Sequence, residues 1–269
     1  MNVLIVTSES NPQIREMAAL LTPRGRRGTD YFIAEGFRVV REAALAGLPI
    51  ERLAVQNEFI EDDRVRELLK MERLQTMPVL KVPRMLIKML SSVETPQGIV
   101  AQIRRPHAQP AEPPADALSI ACELIQDPRN LGMLARAAHA AGVKHIYLGD
   151  GSVDFLHPQA VNSSAGSLFH IQTHTGQEMK PLVTAARKSG VKIWATAAEG
   201  GTPLPDAAKN STGGVMLLFG NEGAGLSPEL QKLADTRITI PMPGGAESLN
   251  IAVAAAVIMF HLNMSKSGK

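Results

Sequence analysis

Residues 117–149 read ALSIACELIQDPRNLGMLARAAHAAGVKHIYLG, and the hydrophobic pattern changes twice along them. ALSIACELI is a nearly continuous apolar run of strand type, stopped by Pro128, which has no backbone N–H to continue a ladder. From Leu131 to Ala141 apolar residues recur at intervals of three and four, the period of a helix with one buried stripe. KHIYLG then returns to a short apolar strand. A strand, a helix and a second strand in so short a span form a βαβ unit, and such units build parallel sheets covered by helices on both faces.

The same alternation extends toward the C-terminus, with a helix near Lys180 to Lys188, strands VKIWAT and GVMLLFG, a short helix from Pro228, strand RITI and a last helix from Ser248 to Leu262. Toward the N-terminus it is interrupted by RRPHAQPAEPPADA, residues 104–117, where Pro106, Pro110, Pro113 and Pro114 favour an extended connector. The expected organisation is therefore an N-terminal domain over residues 1–105, a proline-rich linker over 106–117 and a C-terminal domain over 118–269. In the first of these, YFIAEGFRVVREAALAG carries helical spacing through Phe37, Val40, Ala44 and Leu48, and DDRVRELLKMERL is a second helix. IERLAVQ, PVLKV and GIVAQI read as strands. Both domains are of the α/β class, and neither contains a repeat or a low-complexity tract.

The length of 269 residues suits two ordinary domains, and 45% apolar with 20% charged residues is the balance of a folded globular chain. Aromatics are only 4%, so the core must be filled by aliphatic side chains and methionine, and few rings are left on which bases can stack. Residues 1–110 hold 16 Lys+Arg against 13 Asp+Glu and residues 111–269 hold 12 against 13, so the net +2 comes from +3 and −1. The single cysteine, Cys122, excludes an internal disulfide and a cysteine zinc site and suits a reducing compartment. MNVLIVTSES lacks a signal peptide's basic segment, and no apolar run is long enough for a membrane span, so a cytoplasmic protein is expected.

Parallel α/β sheets bind ligands outside the carboxyl ends of their strands, which directs attention to three junctions. In QDPRNLGMLAR, Asn130 is a candidate helix cap and Arg136 a candidate phosphate clamp, since a guanidinium fork matches two oxygens. A solvated helix arginine is the competing reading. VMLLFG runs into NEGAGLSPEL, where Gly220, Gly223 and Gly225 allow close backbone approach, Glu222 is the only charge in the loop and Ser227–Pro228 starts a helix. The glycine spacing fits neither a dinucleotide fingerprint nor a P-loop, which argues against a nucleotide-dependent oxidoreductase and leaves a plain turn as the alternative. RITIPMPGGAESLNIAVAAAVIMF supplies the third junction, with Ser248 and Asn250 at the mouth of an Ala-rich helix that begins at Glu247 or Ser248. His170 and His174 in HIQTH would share a strand face but lack a third ligand, so no metal site is expected. Cys122 reads as a small core residue, no GxSxG nucleophile elbow is present, and His139 and Glu123 carry no signal of their own.

Taken together, DPRNLGMLARAAHAAGV, LLFGNEGAGLS and IPMPGGAESLNIAVAAAV resemble, in order and spacing, the three motifs of the SpoU (TrmH-type) family of RNA 2′-O-ribose methyltransferases, within the knotted SPOUT class. The similarity covers nearly all of residues 118–263. SNPQI, FIAEGFRVVREAALAG and SSVETPQGIVA resemble the L30e-like α/β/α substrate-binding domain common in that family. A departure lies in AVNSSAGSLF, where Asn162 stands at a position that is often basic, so a substrate phosphate contact there is in doubt.

The resemblance implies a C-terminal trefoil knot, with S-adenosylmethionine bent into a pocket made by the loops after VKIWAT, VMLLFG and RITI. It implies Gly220, Ile240 and Leu249 as cofactor-binding positions, with Thr196, Ala197, Leu218 and Gly225 beside them, and Asn130, Arg136, Glu222, Ser248 and Asn250 as catalytic ones. Methyl transfer from a sulfonium to a ribose 2′-oxygen needs positioning and removal of the hydroxyl proton, and no metal. Arg136 is expected to orient a neighbouring phosphate and polarise the 2′-OH. The RNA is expected to be ribosomal, most readily 23S, held in part by Arg24, Arg26 and Arg27 of the glycine-containing loop PRGRR at residues 23–27. The shortage of aromatics favours recognition by RNA shape. A homodimer is implied. A transfer-RNA methyltransferase and a non-catalytic RNA-binding or ribosome-assembly factor are the alternatives.

Overall fold

The structure is a computed structural model that describes residues 2–71, 74–106, 112–209 and 213–267. Residues 107–111 of the expected linker lie outside the described residues. The chain divides into two compact units, one of Met1–His107 with Leu156–Phe169, the other of Ala108–Phe155 with His170–Lys269.

The first unit is built on β1 (Asn2–Ile5), β2 (Tyr31–Glu35), β3 (Ile50–Gln56), β4 (Pro78–Val82) and β5 (Ile99–Arg104), ordered β1-β4-β3-β5-β2. β5 runs antiparallel to both neighbours, and the remaining pairs are parallel. Its helices are α1 (Pro12–Ala19), α2 (Pro23–Arg26), α3 (Phe37–Leu45), α4 (Asp63–Lys70) and α5 (Arg84–Met89). The helical pattern expected across residues 31–47 is divided by Gly36, whose φ of 88° no L side chain tolerates easily. The aromatic and β-branched YFIAE before it pairs into the sheet, and only FRVVREAAL forms the helix.

The second unit contains β6 (Leu118–Cys122), α6 (Pro128–Ala140), β7 (His145–Gly149), β8 (Gln172–Gln177), α8 (Met179–Lys188), β9 (Lys192–Thr196), β10 (Thr202–Pro203), α9 (Leu204–Lys209), β11 (Val215–Phe219), α10 (Pro228–Leu233), β12 (Thr236–Thr239) and α11 (Ile251–Ser267). The intervening helix α7 (Pro158–Ser163) lies in the part of the chain that packs in the first unit. The strands are ordered β10-β12-β9-β11-β6-β7-β8, and every pairing is parallel. The core is aliphatic: Ile193, Met216, Leu218, Val183 and Ala186 are fully or almost fully buried, as the low aromatic content requires.

Four expectations are corrected. α6 begins at Pro128 because Asp127 caps it, its carboxylate accepting from the Arg129 backbone N–H at 2.8 Å. Asp before Pro is the preferred cap-then-first-residue pair, so Asn130 falls inside the first turn and is no cap. α11 begins at Ile251, and the Asn250 side chain accepts from the Ala252 N–H at 2.9 Å. His170 and His174 do not share a strand face, since His170 ends a 3-10 turn (Ser167–His170) and stacks on His139, whereas His174 stacks on Tyr147. Leu156–Phe169, placed with residues 118–269 on sequence, packs in the first unit: the rings of Phe169 and Phe32 are 5.9 Å apart, and Asn162 Nδ2 donates to Ser92 Oγ at 3.0 Å.

Candidate active site

The carboxyl ends of β9, β11 and β12 converge on one pocket of about 490 Å3, and the loop after β11 is its most constrained wall. Asn221 and Gly225 exchange two backbone hydrogen bonds of 2.9 Å, and Asn221 Oδ1 accepts from the N–H groups of Gly223 and Ala224. This closes the loop so tightly that a Cβ at Gly220 would stand 2.0 Å from the Gly225 carbonyl carbon. Gly225 itself has a φ of 70°. The loop leads into α10, whose cap Ser227 donates its backbone N–H to Glu123 Oε2 at 2.7 Å. Glu123, unremarkable in sequence, therefore anchors the far end of the glycine loop.

The second wall is the end of β9. Thr196 Oγ1 donates to the Leu218 carbonyl at 2.9 Å and Ala197 N donates to the Ile238 carbonyl at 2.9 Å, which locks this edge to both neighbouring strands. The third wall is residues 240–250, with Ile240 and Leu249 supplying apolar surface.

The three junctions meet in a chain of polar side chains. Asn250 Nδ2 donates to Asn130 Oδ1 at 2.8 Å, and Asn130 Nδ2 donates to Glu222 Oε1 at 3.2 Å. Asn221 Nδ2 approaches Glu222 Oε2 at 3.5 Å and donates to Gln126 Oε1 at 3.2 Å. Each asparagine presents donor and acceptor to a different neighbour, so the amides hold one orientation and aim the carboxylate. Burial, with a smaller contribution from the charge of Glu222, pushes the Cys122 thiol up to about 12, leaving it unionised at the end of β6.

Of the residues expected from sequence, Asn130, Glu222, Ser248, Asn250, Thr196, Ala197, Gly220, Gly225, Ile240 and Leu249 all line this pocket. Leu218 is buried in β11 and touches the site only through its carbonyl bond from Thr196. Arg136 is exposed on α6 and is not part of the pocket wall. Six residues after Asn130 on one helix is about 600° of rotation, so the two side chains leave α6 in different directions. Asn221, Gln126 and Met242 were missed. Asn221 had a readable signal, since Asn between two glycines one and two residues away is a turn residue whose side chain bonds the backbone two residues on, here the N–H of Gly223.

The expected phosphate loop at residues 23–27 is instead the short helix α2, capped by Thr22. Arg24 and Arg27 are exposed on it, but Arg26 is 6% exposed and donates to the carbonyls of Leu20 and Leu21 at 3.1 and 3.0 Å. Its guanidinium satisfies peptide carbonyls just beyond α1, so it does not present the free phosphate contact expected of it. Among the described residues no group of three or more His, Cys, Asp or Glu is arranged to hold a metal ion, and no helix is long and apolar enough to cross a membrane.

A parallel sheet with a glycine-cradled, apolar-walled pocket at its carboxyl edge and an oriented carboxylate on the rim defines an α/β protein with a site for a nucleoside-sized ligand. Residues 117–260 match the SpoU rRNA Methylase family and residues 11–101 match the MRM3-like substrate binding domain. The 23S rRNA (guanosine(2553)-2′-O)-methyltransferase RlmP of Bacillus subtilis is 31% identical over 257 residues, covering 96% of this chain and 98% of that protein. The crystal structure of an AdoMet-bound rRNA methyltransferase from Sinorhizobium meliloti superimposes with a TM-score of 0.84 at 29% identity, covering 97% and 98% of the two chains. The SpoU methyltransferase AviRb from Streptomyces viridochromogenes, solved with its cofactor AdoMet, gives a TM-score of 0.82 at 27% identity over 96% and 98%. The chain belongs to the SpoU rRNA methylase family.

Proposed function

We propose that this protein transfers a methyl group from S-adenosylmethionine to a ribose 2′-hydroxyl of ribosomal RNA, in the 23S molecule. The observation that carries the reading is the side-chain chain Asn250–Asn130–Glu222, which joins all three family motifs on the rim of one pocket. The pocket residues fit the cofactor. Gly220 lets the loop backbone close against Gly225 and Leu226, which any side chain there would push apart, and Ile240 and Leu249, with residues 196–198 on the same pocket wall, would offer apolar surface to its purine. Gly220, Gly225, Thr196, Ala197, Ile240 and Leu249 would hold it, Leu218 acting only by fixing Thr196. When bound, the sulfonium supplies an electrophilic methyl group with a built-in neutral leaving group.

The remaining work falls to the chain. Glu222 carries only acceptor oxygens when ionised and is the group suited to take a hydrogen bond from the attacking hydroxyl. Asn130 and Asn250 fix its orientation before substrate arrives, so little reorganisation is needed during reaction. Ser248, beside Asn250 on the same rim, is a donor and acceptor for the ribose. Arg136 carries only donors and is assigned to the RNA phosphate next to the target ribose.

We further place the protein in the cytoplasm as a homodimer, with its C-terminal domain tied in a trefoil knot. Five apolar side chains of residues 249–264, Leu249, Val253, Val257, Phe260 and Met264, are 38–74% exposed at spacings of four, four, three and four. The last four form one face of α11, with Leu249 just before the helix, apolar and uncovered in a single chain, and a second copy is the occupant that suits it. α6, which packs on α11, exposes Met133 and, three residues on, Arg136. The knot is supported by the path of residues 240–250, which lead from β12 past the glycine loop to a helix packed on α6. The N-terminal domain, residues 1–105, is assigned to RNA binding, with Arg24 and Arg27 as contacts.

Calorimetry with S-adenosylmethionine tests the site assignment. The protein is expected to bind one cofactor per chain, and Gly220→Ala is expected to abolish binding while the helical and strand content is retained. Unchanged affinity in that variant would mean that the cofactor binds elsewhere.

A further inference from the structure

The first unit holds a second cavity, about 810 Å3, lined by α3, one side of α4 and their neighbours. The size lies in the range of ligand pockets, about 300–1,000 Å3. Its chemistry differs from that of the first. Arg38, Arg41 and Arg64 line it together with Phe37, Glu42 and Glu67. Arg64 is held flat: its Nε and Nη2 donate to the two oxygens of Asp62 at 2.9 and 2.8 Å, and its guanidinium carbon lies 4.2 Å from the centre of the Phe37 ring. Phe37 is braced in turn by the edge of Phe59, with centroids 6.1 Å apart and planes at 77°.

Solvation alone does not require an arginine to adopt this arrangement. The Arg64 side chain is 61% exposed, so a freely solvated guanidinium would keep its rotamer freedom. Here a carboxylate fixes the plane in two dimensions and an aromatic ring supports it from one side. The result is a rigid, flat, cationic surface that faces the cavity. Beside it, Arg38 is exposed and makes no hydrogen bond or ion pair among the described residues, and the Arg41 side chain is 66% exposed with only a 3.9 Å approach to Glu42. Planar guanidinium surfaces stack on nucleobases, and flexible exposed arginines meet phosphates.

We propose that this cavity binds a single-stranded segment of RNA, one unpaired base stacking on the Arg64 guanidinium and the flanking phosphodiesters meeting Arg38 and Arg41. The proposal rests on the RNA methyltransferase reading and names a base-stacking contact in a domain whose few aromatic rings argued for shape recognition alone. An acidic protein segment would meet the same positive charge but would not need the plane.

Two variants of the full-length protein separate these possibilities, both at exposed positions. Arg64→Lys keeps the charge and removes the plane. Arg38→Gln/Arg41→Gln removes two cations that meet phosphate. With ribosomal RNA as methyl acceptor, Arg64→Lys is expected to raise KM for RNA at least about fivefold with kcat unchanged, as one base is no longer stacked. The double variant is expected to lower the slope of log affinity against log salt by about one for each phosphate no longer neutralised. An unchanged KM in Arg64→Lys, or an unchanged salt slope in the double variant, would overturn the proposal. Fluorescence anisotropy with a short labelled single-stranded RNA reads the cavity independently of methyl transfer. If the wild-type protein binds the oligonucleotide but transfers no methyl group, the methyltransferase reading fails, and weakened binding by Arg64→Lys still supports the cavity. Equal binding by wild type and Arg64→Lys refutes it.

Discussion

Asn130 is the side chain on which the candidate site turns, because among the described residues it alone bonds both Glu222 and Asn250. Its removal leaves a carboxylate without its fixed donor and an amide without its acceptor. Glu222 and Asn250 are exposed and Asn130 is only half-buried, so water can take over these hydrogen bonds and stability should change by no more than about 1 kcal/mol. Turnover should respond far more, falling roughly a hundredfold in Asn130→Ala, since the carboxylate is no longer preorganised toward the reacting group. Steady-state methylation together with cofactor calorimetry checks this, and the predicted result is a kcat defect with cofactor affinity little changed. Cys122 gives a second residue-scale prediction. Fully buried and held unionised, it should resist a water-soluble thiol reagent in the folded protein and react completely in denaturant. Asn130, Glu222 and Asn250 were legible because each is a polar residue in a junction that leads out of an apolar strand, within a few residues of glycine or proline. Glu123 was not, because its partner Ser227 is 104 residues away and nothing local marks the pair. Arg26 misled for the opposite reason, since its local charge pattern gave no sign of the Leu20 and Leu21 carbonyls that hold it.

At the scale of elements, the parallel sheet was legible wherever a strand was buried on both faces. Strands such as VMLLF are continuous apolar runs bounded by glycine, and the chain places β11 where the run lies. Strand β2 was hidden because YFIAE adjoins a helix whose apolar spacing continues backward into it, and only the positive φ of Gly36 separates the two. The edge strand β8 was read from HIQTH, but it begins only at Gln172, after the 3-10 turn that ends at His170. Its pairing with β7 brings His145 Nδ1 within 3.3 Å of His174 Nε2, with both rings stacked in line with Tyr147. Burial lowers the His145 pKa, so the folded state favours its neutral form more than the unfolded chain does. This contribution to stability is fully present above the unfolded value of about 6.5 and is lost as pH falls below it. Urea unfolding at about pH 7.5 and about pH 5.5 should show a drop in midpoint for the wild type and a smaller drop for His145→Gln. Equal drops would mean that other groups carry the acid sensitivity.

The whole molecule separates into a smaller unit with a mixed sheet and a larger unit with a parallel one, and the chain passes from one to the other between His107 and Ala108, inside the proline-rich stretch. The return of Leu156–Phe169 to the first unit had no signature in sequence, because pairs such as Phe32 with Phe169 join positions far apart in the chain. The apolar stripe from Val253 to Met264 likewise became visible only once α11 had a buried side and an exposed one. If that stripe is a dimer interface, Val257→Glu/Phe260→Glu should convert the protein from dimer to monomer in size-exclusion chromatography with light scattering, with loss of methyl transfer. A variant that remains dimeric would place the interface elsewhere.

The destination of the methyl group is the most direct test of the proposed activity. Ribosomal RNA from a strain lacking this protein, incubated with the purified protein and methyl-labelled S-adenosylmethionine and then digested to nucleosides, reads that destination. The predicted result is label in a 2′-O-methylated nucleoside at one site in 23S RNA, absent with Arg136→Ala even though that variant still binds cofactor. Label on a base, or no label from a protein that binds both cofactor and RNA, would contradict it.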